Sequence, residues 1–352
     1  MKKLKIAVIG TGSISEHHIA AYKAISDVEL YAFCDINEEL LNEKGKKHGV
    51  TRLYTDEKKM LAELPEIDAV SVCTWNSAHA ECSIMALNAG KHVLCEKPMA
   101  LNAHEAEEML NTAKKTGKKL MIGFVRRFGN DTAVVKDFIE NDNLGEIYYA
   151  KTTYLRRNGN PGGWFGDKSR SGGGPLIDLG VHVIDLTRYL MGNPKPVSVY
   201  GVTFHKLGNR PLKDKASYVV SRSGKNDICD VEDMVNAIVR YDNGAVLSIE
   251  ASFSLNVKND SGKIELFGTK GGASLNPEFE FYTDMNGYLA NVSLNMPTAL
   301  SFQGLFFNEI KYYVDSILED RDLTSIAEDG VTLMKIIDAI YKSAETNSEI
   351  KL

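Results

Sequence analysis

The chain has 352 residues, too many for one ordinary core, which predicts two domains. Apolar residues make up 43% and charged residues 25%, the balance of a globular protein rather than of a disordered or membrane-embedded chain. A formal net charge of −6 argues against a nucleic-acid or membrane-surface binder, because both need clustered positive charge. The five cysteines show no CxxC spacing and the eight histidines no metal-ligand spacing, so the expectation is small core thiols in a reducing compartment and no metal. The start, MKKLKIAVIGTG, carries too short an apolar run for a signal peptide, and no segment reaches the length of a membrane span. A soluble, cytoplasmic protein is expected.

The first third alternates apolar runs with amphipathic ones. LKIAVIG, VELYAFCD, TRLYT, IDAVSVCT, KHVLCEKP and KKLMIGF read as strands, separated by helical patterns such as SISEHHIAAYKAI and NAHEAEEMLNTAKKTG. Asn102, with Glu105 three residues later, predicts a capping box. Strands without polar alternation, separated by helices, predict a parallel sheet covered on both faces: a doubly wound α/β domain over residues 1–124. From residue 125 the pattern changes. EIYYAKTTYLRR alternates with period two, and a loop at residues 158–174 holds seven glycines in seventeen positions. Later segments turn at Asn-Gly, Lys-Gly-Gly and Asn-Gly, which predicts hairpins of an open, mostly antiparallel sheet, and the last fifty residues read as two amphipathic helices. Residues 125–352 are therefore expected to form a second domain.

Three places carry chemistry. Gly10, Gly12, Ser13 and Ile14 lie between the first strand and the first helix, where a tight turn and free helix N–H groups suit a dinucleotide pyrophosphate; Ser15 stands at the third glycine position. Asp35 ends the second strand 20 residues beyond Ser15, where a carboxylate takes the adenosine ribose hydroxyls. Ile36-Asn37-Glu38-Glu39 after it would repel a 2′-phosphate, so NAD is favoured over NADP. Lys97 ends the fifth strand, and ligands of such sheets bind at the carboxyl ends of the strands. Pro98 after it can adopt a cis bond, which would turn the chain sharply. In GGGPLIDLGVHVIDL, Pro175 suits a helix start, and Asp178, His182 and Asp185 fall at i, i+4 and i+7 on one face of a buried helix. Singly, Asp178 could satisfy the helix start and His182 could be a core histidine. Together they suit contacts to a polyhydroxylated ligand and a proton acceptor.

GTGSIS, CTWN, CEKP and GGGxLxDxGxHxxD together resemble the Gfo/Idh/MocA oxidoreductases, and the likeness runs along essentially the whole chain. The resemblance implies a Rossmann domain followed by an open, mostly antiparallel sheet used for substrate binding and for building a homodimer or homotetramer. It implies that Lys97 bonds the reacting hydroxyl and the nicotinamide ribose, that His182 is the general acid/base, and that Asp178 binds and orients the substrate. Glu96, Thr74, Asn76 and His79 would lie on the cofactor side. Arg127 and Trp164 are substrate-contact candidates, and His18 a structural residue. Trp75 occupies a position often held by proline in the family. The activity implied is NAD-dependent oxidation of a secondary alcohol of a sugar, inositol or related polyol. A redox-neutral glycosidase that uses NAD is the alternative within the family, and a catalytically inactive sugar or nucleotide sensor the alternative outside enzymes.

Overall fold

The apolar runs of the first third form the expected strands. The computed structural model describes residues 3–208, 228–275, 279–295 and 301–352. Strands β1 (Leu4–Ile9), β2 (Val28–Cys34), β3 (Leu53–Tyr54), β4 (Ala69–Val72), β5 (His92–Glu96) and β6 (Leu120–Gly123) alternate with α1 (Ser15–Ala24), α2 (Glu38–His48), α3 (Glu57–Glu63), α4 (His79–Asn88) and α5 (Ala103–Thr116). They lie in the order β3-β2-β1-β4-β5-β6 and every pair is parallel. The order reverses between β1 and β4, so the loops after those strands diverge and leave a crevice at the carboxyl edge of the sheet. All four residues of β4 are buried, as a central parallel strand requires.

Local chemistry sets the helix ends. The side chains of Asn37, Asp56 and Asn102 accept backbone N–H groups of Leu40, Lys59 and Glu105 at 2.8, 2.9 and 3.0 Å. The Asn102 box closes one residue earlier than the standard motif. Glu105 accepts the N–H of Leu101 and the side-chain amide of Asn102.

The rest of the chain supplies α6 (Asn130–Glu140), β7 (Ile147–Leu155), α7 (Lys168–Ser171), α8 (Val181–Leu190), β8 (Pro196–Phe204), β9 (Met234–Tyr241), β10 (Val246–Ser252), β11 (Ser261–Gly268), β12 (Gly271–Leu275), β13 (Glu280–Met285), β14 (Tyr288–Ser293), α9 (Phe302–Leu318), α10 (Thr324–Thr346) and β15 (Ile350–Lys351). Among the described residues a nine-stranded sheet runs β14-β13-β12-β11-β7-β10-β9-β8-β15, antiparallel except for β7 with β10. At the β13–β14 turn Asn286 and Gly287 have φ of 56° and 80°, the left-handed pair that a two-residue hairpin demands. Helix α8 lies against β7 and β11. No helix among the described residues is long and apolar enough to cross a membrane.

By packing, Met1–Phe128 with Ser301–Met334 form one unit and Gly129–Leu300 with Lys335–Leu352 another. The boundary expected at 124/125 assigns both C-terminal helices to the second domain, whereas α9 belongs with the first unit. Its Phe306, Ile310, Tyr313 and Val314 share a core with Ile6, Tyr22, Leu94 and Met121. An amphipathic helix goes where its apolar stripe is buried, and sequence order does not choose that surface.

Candidate active site

The turn after β1 is built around two glycines with different tasks. Gly10 has φ +85°, and a Cβ there would meet the Cys73 carbonyl oxygen at 2.5 Å, so only glycine serves. A Cβ on Gly12 would meet nothing within 4 Å. It would project into open space at the carboxyl edge of the sheet, the space a pyrophosphate needs for close backbone approach. Ser15 is fully buried and its hydroxyl donates to the Gly12 carbonyl at 2.7 Å, so a small polar residue fills the third glycine position. Ser13 is exposed and Ile14 half-buried against two neighbouring apolar clusters. These residues fit a dinucleotide.

Asp35 follows β2. Its Oδ2 accepts the Thr11 N–H at 2.6 Å and the Thr11 hydroxyl at 2.9 Å, and its Oδ1 accepts the Asn37 N–H at 2.8 Å. The carboxylate therefore ties the glycine turn to the end of β2, a task the sequence pattern does not reveal. Being partly exposed, and with about four acceptor sites on a carboxylate, it retains capacity for a ribose hydroxyl.

The loops after β4 and β5 are joined by His79. Only 1% of this residue is exposed; Nδ1 lies 2.7 Å from the Pro98 carbonyl and Nε2 3.2 Å from the Thr74 carbonyl. Burial, which outweighs those carbonyls, lowers its pKa. A neutral ring has one N–H to give, and the shorter contact assigns it to Pro98. His79, expected on the cofactor side, thus ties the start of α4 to the loop after β5 through the Pro98 carbonyl. Ahead of α4, the Thr74 hydroxyl donates to the Trp75 carbonyl at 3.2 Å, and Asn76, buried, opens a 3₁₀ turn. Trp75 has φ −69° and ψ 154°, a conformation that proline could also adopt.

Lys97 leaves the carboxyl end of β5, and the Lys97–Pro98 bond is cis. Its N–H donates to Glu96 Oε2 at 3.2 Å. Glu96 Oε1 lies 2.7 Å from His18 Nε2, His18 Nδ1 lies 3.2 Å from Ser71 Oγ, and Ser71 shares a 2.7 Å hydrogen bond with the Tyr22 hydroxyl. This buried chain fixes the residue before the lysine. Burial alone would raise the Glu96 pKa, but the His18 hydrogen bond and charge, with Lys97, hold it below the usual carboxylate range. Glu309 on α9 has the opposite fate. Among the described residues neither of its buried oxygens has a hydrogen-bond partner, and burial followed by the Glu96 charge pushes its pKa well up. The two carboxyls are thus shifted in opposite directions, Glu96 down and Glu309 up.

A stability prediction follows from Glu309. Above the unfolded value, about 4.3, the unfolded chain releases the Glu309 proton and the folded one keeps it. Stability then falls as pH rises, by about 1.4 kcal/mol per pH unit, until the folded carboxyl ionises. Glu309→Gln is neutral at every pH. It is expected to raise Tm more at pH 8 than at pH 5, measured by thermal unfolding at both; an equal gain at the two pH values would rule this out.

In the second unit Pro175, with φ −62° and ψ −23°, opens a π-helical turn, Leu176–Gly180, that runs into α8. A uniform α-helix would align Asp178, His182 and Asp185 on one face. In the structure Asp178 lies in the π-helical turn, and His182 and Asp185 lie in α8. Asp178 and Asp185 are buried at 9% and 4% exposure, and His182 is half-buried. Trp164 is half-buried and stacks on Phe165 with ring centroids 4.0 Å apart. In the first unit Arg127 pairs with Asp329 at 3.0 Å and lies over the Phe124 ring. That partner, 202 residues away in the chain, gives the guanidinium a structural task beside the substrate contact expected of it.

The segment before β9 was not anticipated. The Lys168 N–H donates to Asp230 Oδ1 at 2.7 Å and the Asp230 N–H to the Gly166 carbonyl at 3.0 Å. Glu232 accepts the N–H groups of Gly174 and Leu176. The sequence signal was present in DVED, a run of acids leading straight into a half-buried strand. Among the described residues no cluster of His, Cys, Asp and Glu could hold a metal ion.

Residues 4–124 match the profile of the Oxidoreductase family, NAD-binding Rossmann fold, and residues 136–352 that of the Oxidoreductase family, C-terminal alpha/beta domain, the two parts of Gfo/Idh/MocA proteins. The chain belongs to the Gfo/Idh/MocA family. It is an NAD-dependent oxidoreductase. It is 34% identical to the D-glucoside 3-dehydrogenase of Escherichia coli over 99% of this chain and 97% of that one. It is 29% identical to the myo-inositol 2-dehydrogenase of Thermotoga maritima over 99% and 98%. Among solved structures, levoglucosan dehydrogenase in complex with NADH and levoglucosan superposes with a TM-score of 0.86 at 27% identity, covering 99% of each chain.

With NAD as the cofactor, Asp35→Ala is expected to weaken NAD binding about 10- to 100-fold, the worth of hydrogen bonds to a charged group, and NADP binding less. Titration with both cofactors checks this, and equal losses would remove Asp35 from the discrimination.

Proposed function

We propose that this enzyme oxidises a secondary alcohol of a sugar, inositol or related polyol, or runs the reverse reduction. Bound NAD supplies the hydride acceptor. Lys97 donates hydrogen bonds to the reacting hydroxyl and to the cofactor ribose. His182 takes the hydroxyl proton, and Asp178 accepts a hydrogen bond from a neighbouring substrate hydroxyl, which orients the ring. Gly10, Gly12, Ser13 and Ile14 hold the phosphates, Asp35 the adenosine ribose, and Thr74, Asn76 and Glu96 the approach to the nicotinamide, with His79 holding the loop after β5 through Pro98. Trp164 and Arg127 are the remaining substrate-side candidates.

The observation that supports this most is Lys97 itself. It stands at the carboxyl end of a parallel strand, behind a glutamate that His18 holds, in a family with sugar and inositol dehydrogenases among its members. The relative 34% identical over nearly the whole chain makes glucosides the first substrates to try. We read the assembly as a homodimer or homotetramer, since the cross-strand partners Tyr200 and Ile238 remain 47% and 45% exposed on the sheet. The five free cysteines suit a reducing, cytoplasmic setting.

The test is NAD reduction, followed by nicotinamide absorbance, with glucosides, levoglucosan, inositols and sugar acids. Reduction by one class supports the proposal. No reduction by any of them, with NAD demonstrably bound, would sink the dehydrogenase and leave the redox-neutral glycosidase or the sensor.

A further inference from the structure

The glycine loop ends in Gly172-Gly173-Gly174, and the last two are crowded by particular groups. A Cβ on Gly173 would lie 2.0 Å from the Tyr341 hydroxyl, and one on Gly174 2.3 Å from the Glu232 carbonyl oxygen and 3.1 Å from its carboxyl carbon. The glycines are there so that Glu232 and Tyr341 can come close. Glu232 is 3% exposed. Its Oε2 accepts the Gly174 N–H at 3.0 Å; its Oε1 accepts the Leu176 N–H at 3.2 Å and the Tyr341 hydroxyl at 3.0 Å. Pro175, between the two amides, has no N–H to offer. One carboxylate therefore spans the proline and collects the donors on both sides of it. Helix-start N–H groups lack partners within the helix and favour a negative charge. Asp178 lies two residues beyond Leu176, and His182 six.

Packing alone does not hold the carboxylate. A cavity of about 140 Å³ adjoins Glu232 and Tyr341, and Lys168, His205, Asp230 and Glu345 also line it. Without the Tyr341 hydroxyl, the carboxylate has space to turn into.

We infer that Glu232, held by Tyr341, is a positioning residue that fixes the turn carrying Asp178 and His182. This rests on the roles proposed above for those two side chains. A carboxylate is required because three donors converge on its two oxygens. Glutamine has one oxygen, and its –NH₂ would face at least one buried donor. The turn must then shift, and a displacement of about 1 Å can cost about 100-fold in rate.

The experiment compares the full-length wild type with Glu232→Gln, Tyr341→Phe and His182→Ala. The readouts are kcat and KM for methyl β-D-glucopyranoside and myo-inositol, NAD affinity, and Tm. Glu232→Gln is expected to lower kcat about 10- to 100-fold while NAD affinity stays within about twofold. Tyr341→Phe keeps both backbone bonds and is expected to lower kcat about 3- to 10-fold. If both variants fold and keep kcat within about twofold of wild type while His182→Ala loses turnover, the positioning role is overturned and the site assignment stands. A lowered Tm with unchanged kcat also overturns it, since that is what a merely structural residue gives. If Glu232→Gln does not fold, Tyr341→Phe decides alone. If His182→Ala matches wild type, or wild type reduces NAD with neither alcohol, the underlying site assignment has failed and the inference falls with it.

Discussion

Replacing His182 with alanine is expected to lower kcat about 10²- to 10⁴-fold, the range a positioned general acid/base contributes, with little change in NAD affinity. The substitution suits a clean measurement. His182 is the second residue of α8 and half-buried, and alanine is the best helix former, so the helix should persist. Loss of a proton acceptor appears in kcat, whereas loss of uniform binding appears in KM alone. His182→Asn, which can hydrogen-bond but cannot accept a proton at neutral pH, should be nearly as slow as alanine. Steady-state kinetics of both variants decide the matter: turnover close to wild type would make His182 a packing residue.

Lys97→Ala is expected to cost about 10²- to 10⁴-fold in kcat/KM. That is the sum of two charge-assisted hydrogen bonds worth about 1.5–3 kcal/mol each. Unlike His182, Lys97 is assigned contacts to both substrate and cofactor, so NAD affinity should fall as well. Lys97→Arg should not restore the rate, because a planar guanidinium on a longer stem does not reproduce a compact ammonium. The strand end should survive in both variants, since Glu96, His18, Ser71 and Tyr22 form a buried chain of hydrogen bonds beneath it. Retention of kcat/KM in Lys97→Ala to within about threefold would remove the lysine from the chemistry. Each result separates from the other through NAD affinity, which His182→Ala leaves alone and Lys97→Ala reduces.

Much of the candidate site was legible because its residues sit at the ends of strands that the apolar runs mark out. Asp35 and Lys97 were located by their strands. Asp178 and His182 were located by a motif on a buried helix, though the π-helical turn was not, since nothing local separates it from an α-helical one in LIDLG. His79 could be found as a residue of the site but not in its bracing task, which requires knowing that the carbonyls of Thr74 and Pro98 flank it. Glu232 went unread because its partners, Gly174 and Tyr341, lie 58 and 109 residues away.

Residues within a few positions of one another determined the strand–helix alternation, the caps at Asn37, Asp56 and Asn102, the turns at Gly10 and at Asn286-Gly287, and the chemical types at the strand ends. Backbone propensity, side-chain period and φ preference act over that range, so the sequence by itself suffices for them. Only the tertiary structure decided that His18 meets Glu96 across 78 residues, that α9 completes the core of the first unit, that burial and the Glu96 charge push the Glu309 pKa up, and that Glu232 reaches the glycine loop. Each of these depends on which surfaces pack and on which polar groups are then removed from water. A buried polar group must take its partner from whatever the fold brings beside it, and sequence separation carries no information about that choice.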